Sequence, residues 1–283
     1  MFYAMFMTLS LRNNCFKAGL IISTFSLFII LTTFSTIRPY YPEVSGEGIR
    51  LFSGIIERIF GSLLDSEPYV PLAATAGAVI YSLIGIILIY YFYEKTQSPE
   101  ILFIGLFIVS FAFECIKIMI PLSKAMALSN SQLIMGSRIL IFGRYFGIFS
   151  LFTSSVFAAG LKVQKQENFL LVTIAAALIF ALGIPIDGLT WDSTLFIQND
   201  FYNSLSMVET GIIIISIASF FIAAYTRGSK QYIPIGLGAI LIYLGRNILL
   251  NGDTWPSPFI GLFTLCFGTW LSCLKLHRIY LWL

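Results

Sequence analysis

Charge is the first thing that this sequence has little of. Only 11% of its 283 residues are Asp, Glu, Lys or Arg, whereas 58% are hydrophobic. A soluble domain typically carries about 25% charged residues. A chain of this size cannot hide so much apolar surface in one core, so the composition excludes an ordinary soluble domain.

The residue types that carry most enzyme and metal chemistry are rare or isolated. His277 is the single histidine, and the four cysteines form no C-x-x-C pair. The sequence contains no phosphate-binding glycine loop, no H-E-x-x-H and no G-x-S-x-G motif. We therefore expect a non-enzymatic protein with no metal site and no cofactor.

Basic residues are scattered along the chain instead of clustered. The formal net charge is only +3, and no segment is rich in Lys and Arg. Nucleic-acid-binding proteins concentrate positive charge on one face or in one segment. The sequence therefore predicts no nucleic-acid partner.

What the sequence has in abundance is long apolar runs. A membrane-spanning helix needs about 20 consecutive, predominantly apolar residues. The chain has eight such runs, which predict an all-α fold: a polytopic membrane helix bundle of eight transmembrane helices in a single integral membrane domain, 1–283. The spans are predicted at about 18–37, 71–93, 100–121, 137–161, 169–186, 206–226, 231–250 and 258–276.

The distribution of Lys and Arg predicts the orientation of the bundle. Cytoplasmic loops of membrane proteins carry an excess of these residues. With the N-terminus inside, every short inner loop holds at least one basic residue, while the outer loop 187–204 holds three aspartates and no basic residue. We therefore expect both termini in the cytoplasm.

The one long connection, 38–70, has a helical periodicity of its own. Between about 48 and 65, apolar residues such as Leu51 and Ile55 fall on one broad face and charged residues such as Arg58 on the other. This pattern predicts an amphipathic interfacial helix on the outer face of the membrane. The helix is either a connector that lies on the surface or a lid over a site in the bundle.

Seven charged residues fall toward the predicted outer ends of the spans. A charge at the bilayer centre costs about 2.5–3.5 kcal/mol or more, so such residues normally face the bundle interior and have partners. All seven are predicted in the outer half of the bundle, and we expect no charged residue in the inner half. They are Glu114, Lys117, Arg138, Arg144, Asp187, Glu209 and Arg246.

Two interpretations of this charged layer are open. It is either a network of ion pairs that fixes helix packing, or an outward-facing pocket for a small anionic or zwitterionic ligand. The planar guanidinium of arginine suits a carboxylate or a phosphate. Glu114 and Lys117 share a helical face, and Glu114 is the acidic residue nearest in depth to Arg144. Arg138 is expected to reach the outer interface.

Glycines flank Arg144 at helical spacing. Gly143 and Gly147 are four apart, and Gly136 precedes Gly143 by seven residues. Small residues let a neighbouring helix approach closely. We expect this face to pack on the third span within one chain, and a homodimer face is the alternative.

The last seven predicted spans enter from the outside and end inside. This arrangement resembles, in general layout, the seven-helix sensor modules of bacterial membrane signalling proteins. Such modules usually feed a cytoplasmic kinase or cyclase, so the resemblance implies a separate membrane or cytoplasmic partner protein for this chain. We predict a sensor or binding module in the lipid bilayer of the bacterial cytoplasmic (inner) membrane. The alternatives are a small-solute transporter, against which the uncharged inner half argues, and a structural subunit of a larger membrane complex.

Overall fold

Eight long helices carry the apolar runs of the sequence. The structure, a computed structural model, describes residues 2–37, 70–93, 98–125, 127–186, 191–196 and 202–281. The helices are α1 (Phe2–Ile37), α2 (Val70–Tyr93), α3 (Pro99–Ser110 with its continuation, Phe111–Ile118 and Met119–Ala125), α4 (Asn130–Ala158), α5 (Gln166–Gly183), α6 (Tyr202–Thr226), α7 (Tyr232–Asn251) and α8 (Pro256–Leu281).

Each of the eight helices is long and apolar enough to cross a bilayer, with a mean hydropathy between 1.5 and 2.3 over its best 18-residue window. About 20 helical residues cover the hydrocarbon core of a membrane. The chain is therefore a multi-pass membrane protein of the lipid bilayer. The prediction of an all-helical bundle with eight apolar spans is confirmed, whereas the amphipathic helix predicted at about 48–65 lies outside the described residues.

The first span begins earlier than its sequence suggests. Its apolar stretch is Ser10–Thr33 instead of 18–37, and therefore includes Arg12. Arg12 is only 3% exposed, and its guanidinium donates to the carbonyl oxygen of Tyr93 at 3.4 Å. A basic residue can lie within the helix here because the neighbouring helix end supplies an acceptor.

α4 also begins before its predicted start, at Asn130 instead of about 137. The cause is a capping box at its N-terminus. The Ser129 hydroxyl accepts from the Gln132 backbone N–H, and the Gln132 side chain accepts from the Ser129 backbone N–H. These two bonds satisfy groups that a helix otherwise leaves open, so the polar residues before the apolar run become helical.

α3 lies at the centre of the bundle. Its apolar window is 89% buried, the largest share among the eight spans. The run ILFIGLFIVS is apolar on every side, which is typical of a helix surrounded by protein, and every residue from Ile101 to Ser110 is buried. α2 and α4 pack against it, as does α1. A charged side chain on α3 therefore needs a partner from within the protein.

The middle of α3, Phe111–Ile118, is a 3-10 helix. A 3-10 helix has three residues per turn, so side chains three apart are eclipsed, and runs longer than 3–4 residues are uncommon. Phe111, Glu114 and Lys117 therefore lie in one row, and each is 2% exposed. The sequence predicted a shared helical face for Glu114 and Lys117, but not this tighter geometry.

The glycine face of α4 packs on α3. A Cβ atom on Gly143 would lie 2.5 Å from Cβ of Phe113, and one on Gly147 would overlap the hydroxyl of Ser110. A side chain at either position would force the two helices apart. The predicted packing of this face on the third span is confirmed, and a homodimer stays a prediction that needs another surface.

Gly143→Ala should destabilise the protein, although alanine has the better helix propensity. The added methyl group would overpack the α3–α4 contact, at a cost of about 1–3 kcal/mol. The matched control is Gly211→Ala in α6, since nothing lies within 4 Å of a Cβ there. We expect a lower melting temperature in detergent for Gly143→Ala and an unchanged or higher one for Gly211→Ala. Equal melting temperatures would contradict the close approach.

Candidate functional site

Glu114 forms ion pairs with two basic side chains in the interior of the bundle. Its Oε2 lies 3.0 Å from Nζ of Lys117, and its Oε1 lies 2.9 Å from Nε of Arg144. Nη2 of Arg144 donates to Oε2 at 3.5 Å, and the three side chains are between 3% and 9% exposed. Both carboxylate oxygens are therefore used, and the triad joins α3 to α4 with one more cation than anion.

A short segment, 191–196, covers the face of Arg144. The Phe196 ring centroid lies 4.1 Å from Cζ of Arg144, which is a cation–π contact. Asp192 holds the segment in a turn, because its Oδ1 accepts from the backbone N–H groups of Thr194 and Phe196 and from the Thr194 hydroxyl. Asp192 also lies within electrostatic range of Arg144. The segment therefore adds an aromatic cover and a second carboxylate to the surroundings of Arg144.

Arg246 and Glu209 form a second and looser pair. Nη1 of Arg246 lies 3.4 Å from Oε2 of Glu209, and this bond joins α7 to α6. The Arg246 side chain is 9% exposed and that of Glu209 is 25% exposed. Within the described ranges, neither head group makes another hydrogen bond. Nε and Nη2 of Arg246 and Oε1 of Glu209 therefore keep their hydrogen-bonding capacity.

One cavity lies between α4, α6 and α7, and both Arg144 and Arg246 line it. Its empty volume is about 680 Å³, which includes the space at its open mouth. Apolar side chains from α4, α6, α7 and the connections form one part of the lining. Besides Arg144 and Tyr145 of α4, the polar side chains belong to α6 and α7: Ser206, Glu209, Thr210, Tyr243, Arg246, Asn247 and Asn251. Such a mixture of apolar walls and a few charged groups is typical of sites for small organic molecules.

The structure separates Arg138 from this cavity. Nη1 of Arg138 donates to the carbonyl oxygens of Leu182 at 2.8 Å and Ala181 at 3.3 Å. A cation at the C-terminal end of a helix is favourable, because the last carbonyl groups carry partial negative charge. Arg138 therefore caps α5 and takes no part in the cavity. Asp187, the remaining predicted site residue, lies outside the described residues.

A charged residue at the predicted inner end contradicts the expectation of an uncharged inner half. Glu100, in the first turn of α3, is fully buried. Its carboxylate accepts from the Tyr280 hydroxyl at 2.8 Å and from the Ser98 hydroxyl at 2.7 Å. The prediction was wrong because it overlooked Glu100, the first residue of the predicted third span. α8 continues to Leu281, beyond the predicted end of the eighth span at 276, and this brings Tyr280 over the carboxylate.

Arg227 connects the three cavity helices at the same end. It follows the last residue of α6, and its Nη1 donates to the hydroxyl of Tyr232, the first residue of α7, at 2.8 Å. Its Nη2 donates to the carbonyl oxygen of Phe157 in the last turn of α4, also at 2.8 Å. The helices that surround the cavity at one end are therefore hydrogen-bonded to one another at the other end.

The charged groups do not assemble a metal site in the part of the chain that the structure describes. No group of three His, Cys, Asp or Glu side chains there could hold a metal ion. Glu114 is bonded to two cations, and Glu100 to two hydroxyl groups. The chemistry that this arrangement offers is therefore hydrogen bonding and charge pairing.

A bacterial protein is similar to this chain over about two thirds of its length. The relative is a protein of Treponema pallidum (strain Nichols) described as an uncharacterized protein. The two are 21% identical over an alignment of 240 residues that covers 67% of this chain and 69% of the relative. No family model and no solved structure matches the chain. The function therefore has to be argued from the site itself.

Glu114→Gln is expected to destabilise the bundle by about 3–5 kcal/mol, because it leaves two buried cations without a counter-charge. Adding Lys117→Gln should recover part of this loss, since one of the two cations is then removed. Melting temperatures of the purified variants in detergent measure both effects. A double variant no more stable than Glu114→Gln alone would mean that charge is not the reason for the loss.

Tyr280→Phe removes a hydroxyl donor from the buried carboxylate of Glu100 and should cost about 1–3 kcal/mol. Tyr225→Phe is the control, because the Tyr225 side chain is 90% exposed. Thermal unfolding of the two variants should show a loss only for Tyr280→Phe. Identical unfolding would indicate that α8 is not held to α3 through this bond.

Proposed function

We propose that this chain is a non-enzymatic membrane protein that binds a small ligand with a carboxylate or phosphate group between α4, α6 and α7. The observation that carries the proposal is that Arg246 lines the cavity with a guanidinium of which only Nη1 is hydrogen-bonded. Its Nε and Nη2 have no partner among the described residues. A planar guanidinium matches the two oxygens of a carboxylate, and a charge-assisted hydrogen bond is stronger than a neutral one. A ligand would complete these bonds.

The orientation belongs to the same proposal. The cavity lies at the end of the bundle where α7 ends and α6 begins, which the Lys and Arg distribution predicts to face outward. The similar bacterial sequence supports a bacterial cytoplasmic membrane. Both termini would then lie in the cytoplasm, and the ligand would arrive from outside.

A sensor that acts through a partner protein would make use of the hydrogen bonds that Arg227 forms at the end of the bundle opposite the cavity. Arg227 joins the inner ends of α4, α6 and α7, which are the cavity helices. It also lies within electrostatic range of Glu100 and Tyr280. A change in helix spacing at the cavity would therefore reach the end of α8, where a cytoplasmic partner could bind.

A small-solute transporter is the second candidate, and one observation favours it. α4 carries buried hydroxyl groups toward its inner end, at Ser150, Thr153 and Ser154. Oγ of Ser150 has no hydrogen-bond partner within the described residues. Such groups are what a polar path through the inner half would need. In a structural subunit, by contrast, the charges only join helices, and no ligand binds.

Arg246→Gln should weaken the binding of small anions at least tenfold, since it removes the free guanidinium donors. The probes are 4-methylpentanoate, succinate and inorganic phosphate, titrated into the purified full-length protein by calorimetry. The matched control is Arg138→Gln, which removes an arginine that lies outside the cavity. Arg246→Lys, with the charge retained, shows whether a loss follows from the guanidinium or from misfolding.

Two results would contradict this function. The first is unchanged affinity in Arg246→Gln, which would place the anion elsewhere. The second is a wild-type protein that binds no probe, which would favour a structural subunit. Counterflow of a bound probe in proteoliposomes would replace the sensor with the transporter and leave the binding site in place.

A further inference from the structure

We propose that the ligand of this cavity is an α-amino acid with an apolar side chain, whose carboxylate binds Arg246 and whose ammonium group binds Glu209. The inference rests on the proposed function and adds to it the recognition of a positive group. It follows from three features of the cavity: the balance of its charges, the position of Glu209 beside Arg246, and the apolar wall.

The charged groups that interact with one another around the cavity balance within the described part of the chain. Three cations and three carboxylates lie close together: Lys117, Arg144, Arg246, Glu114, Glu209 and Asp192. A net anion that enters such a site keeps an uncompensated charge in a medium of low dielectric constant, which is unfavourable. A zwitterion adds no net charge, so the balance survives binding.

Glu209 and Arg246 offer complementary free groups side by side. A single contact of 3.4 Å joins them, and Oε1 of Glu209 remains open, as do Nε and Nη2 of Arg246. In an α-amino acid, one carbon atom separates the carboxylate from the ammonium group. A guanidinium and a carboxylate that are neighbours can therefore contact both ends of such a ligand at once. The hydroxyl of Tyr243, also in the lining, is a further polar contact for the ligand.

Arg144 offers a second anionic group only its Nη1, because the rest of its guanidinium is already engaged. Its Nε and Nη2 are bonded to Glu114, and the Phe196 ring covers its face. A ligand with two anionic groups would therefore find one open guanidinium edge and the carboxylate of Glu209, which repels it. This arrangement disfavours dicarboxylates and favours one carboxylate with one ammonium group.

One part of the cavity wall, apart from the polar side chains of α6 and α7 already described, is apolar. Ile141, Ile184, Leu205 and Phe196 line it beside the charged pair. Burying an apolar side chain against such residues is favourable, whereas a charged ligand side chain would find no partner there. The ligand side chain is therefore expected to be aliphatic or aromatic.

The test compares amino acids with analogues that lack one charged group. The probes for one series are L-leucine, 4-methylpentanoate without the ammonium group, and 3-methylbutylamine without the carboxylate. L-phenylalanine, 3-phenylpropanoate and 2-phenylethylamine form the second series. We expect at least one amino acid to bind the full-length protein at least tenfold more tightly than either of its analogues, as measured by calorimetry in detergent.

Glu209→Gln separates the role of the ammonium group from that of the carboxylate. The variant should lose at least tenfold in affinity for the amino acid and keep its affinity for the carboxylate analogue within a few-fold. Glu167→Gln in α5, outside the cavity, should change neither affinity. Melting temperatures of the unliganded variants verify that both are folded.

The outcomes distinguish this inference from the proposed function. If the carboxylate analogues bind as tightly as the amino acids, and do so through Arg246, the inference of a zwitterionic ligand is wrong. The proposed anion-binding site would then still hold. If Glu209→Gln weakens both ligand types equally, Glu209 serves only to hold Arg246, and the inference is again wrong. If the wild type binds no probe of either series, the proposed function falls together with it.

Discussion

The carboxylate of Glu114 is the group on which the cavity end of the bundle depends. It lies on the most buried helix and neutralises Lys117 of the same helix and Arg144 of the next. Without it, two cations would remain in a region of low dielectric constant, where unpaired charge is expensive. Because Arg144 is held by this carboxylate, its other face is available to Phe196, and the segment 191–196 can close over it. The position of one cavity wall therefore follows from one acidic side chain.

The sequence was sufficient to predict the eight helices, because a bilayer permits few alternatives. Apolar runs of about 20 residues in lipid must form helices that satisfy their own backbone groups. The ends of the helices were predicted less well, since contacts made far along the chain decide them. Arg12 is tolerated in α1 because the carbonyl of Tyr93 lies beside it, and α8 extends to its contact with Glu100 through Tyr280. No local pattern reveals these contacts.

At the candidate site, too, local sequence patterns predicted some contacts, whereas contacts between distant parts of the chain could not be predicted. Depth along the helices predicted Glu114 as the partner of Arg144, and that ion pair is present. Depth alone could not show that Arg138 turns to the end of α5, nor that Phe196 arrives from a distant connection. Both contacts depend on the direction in which a helix is rotated, and that direction is set by packing. The glycine face of α4 packs on α3 and so fixes the rotation of α4. It is the local sequence pattern that comes closest to indicating which way this helix faces.

The 3-10 geometry in the middle of α3 couples the length of this helix to the relative rotation of its two ends. A 3-10 helix rises roughly 0.5 Å more and turns roughly 20° more per residue than an α-helix. If the 8 residues Phe111–Ile118 relaxed to α-helical geometry, the two ends of α3 would approach by roughly 4 Å and rotate by roughly 160° relative to one another. The row that carries Glu114 and Lys117 would unwind with them. The ion pairs of Glu114 with Lys117 and Arg144 therefore stabilise the 3-10 geometry of α3. A change in the length or rotation of this helix would also change its charge pairing.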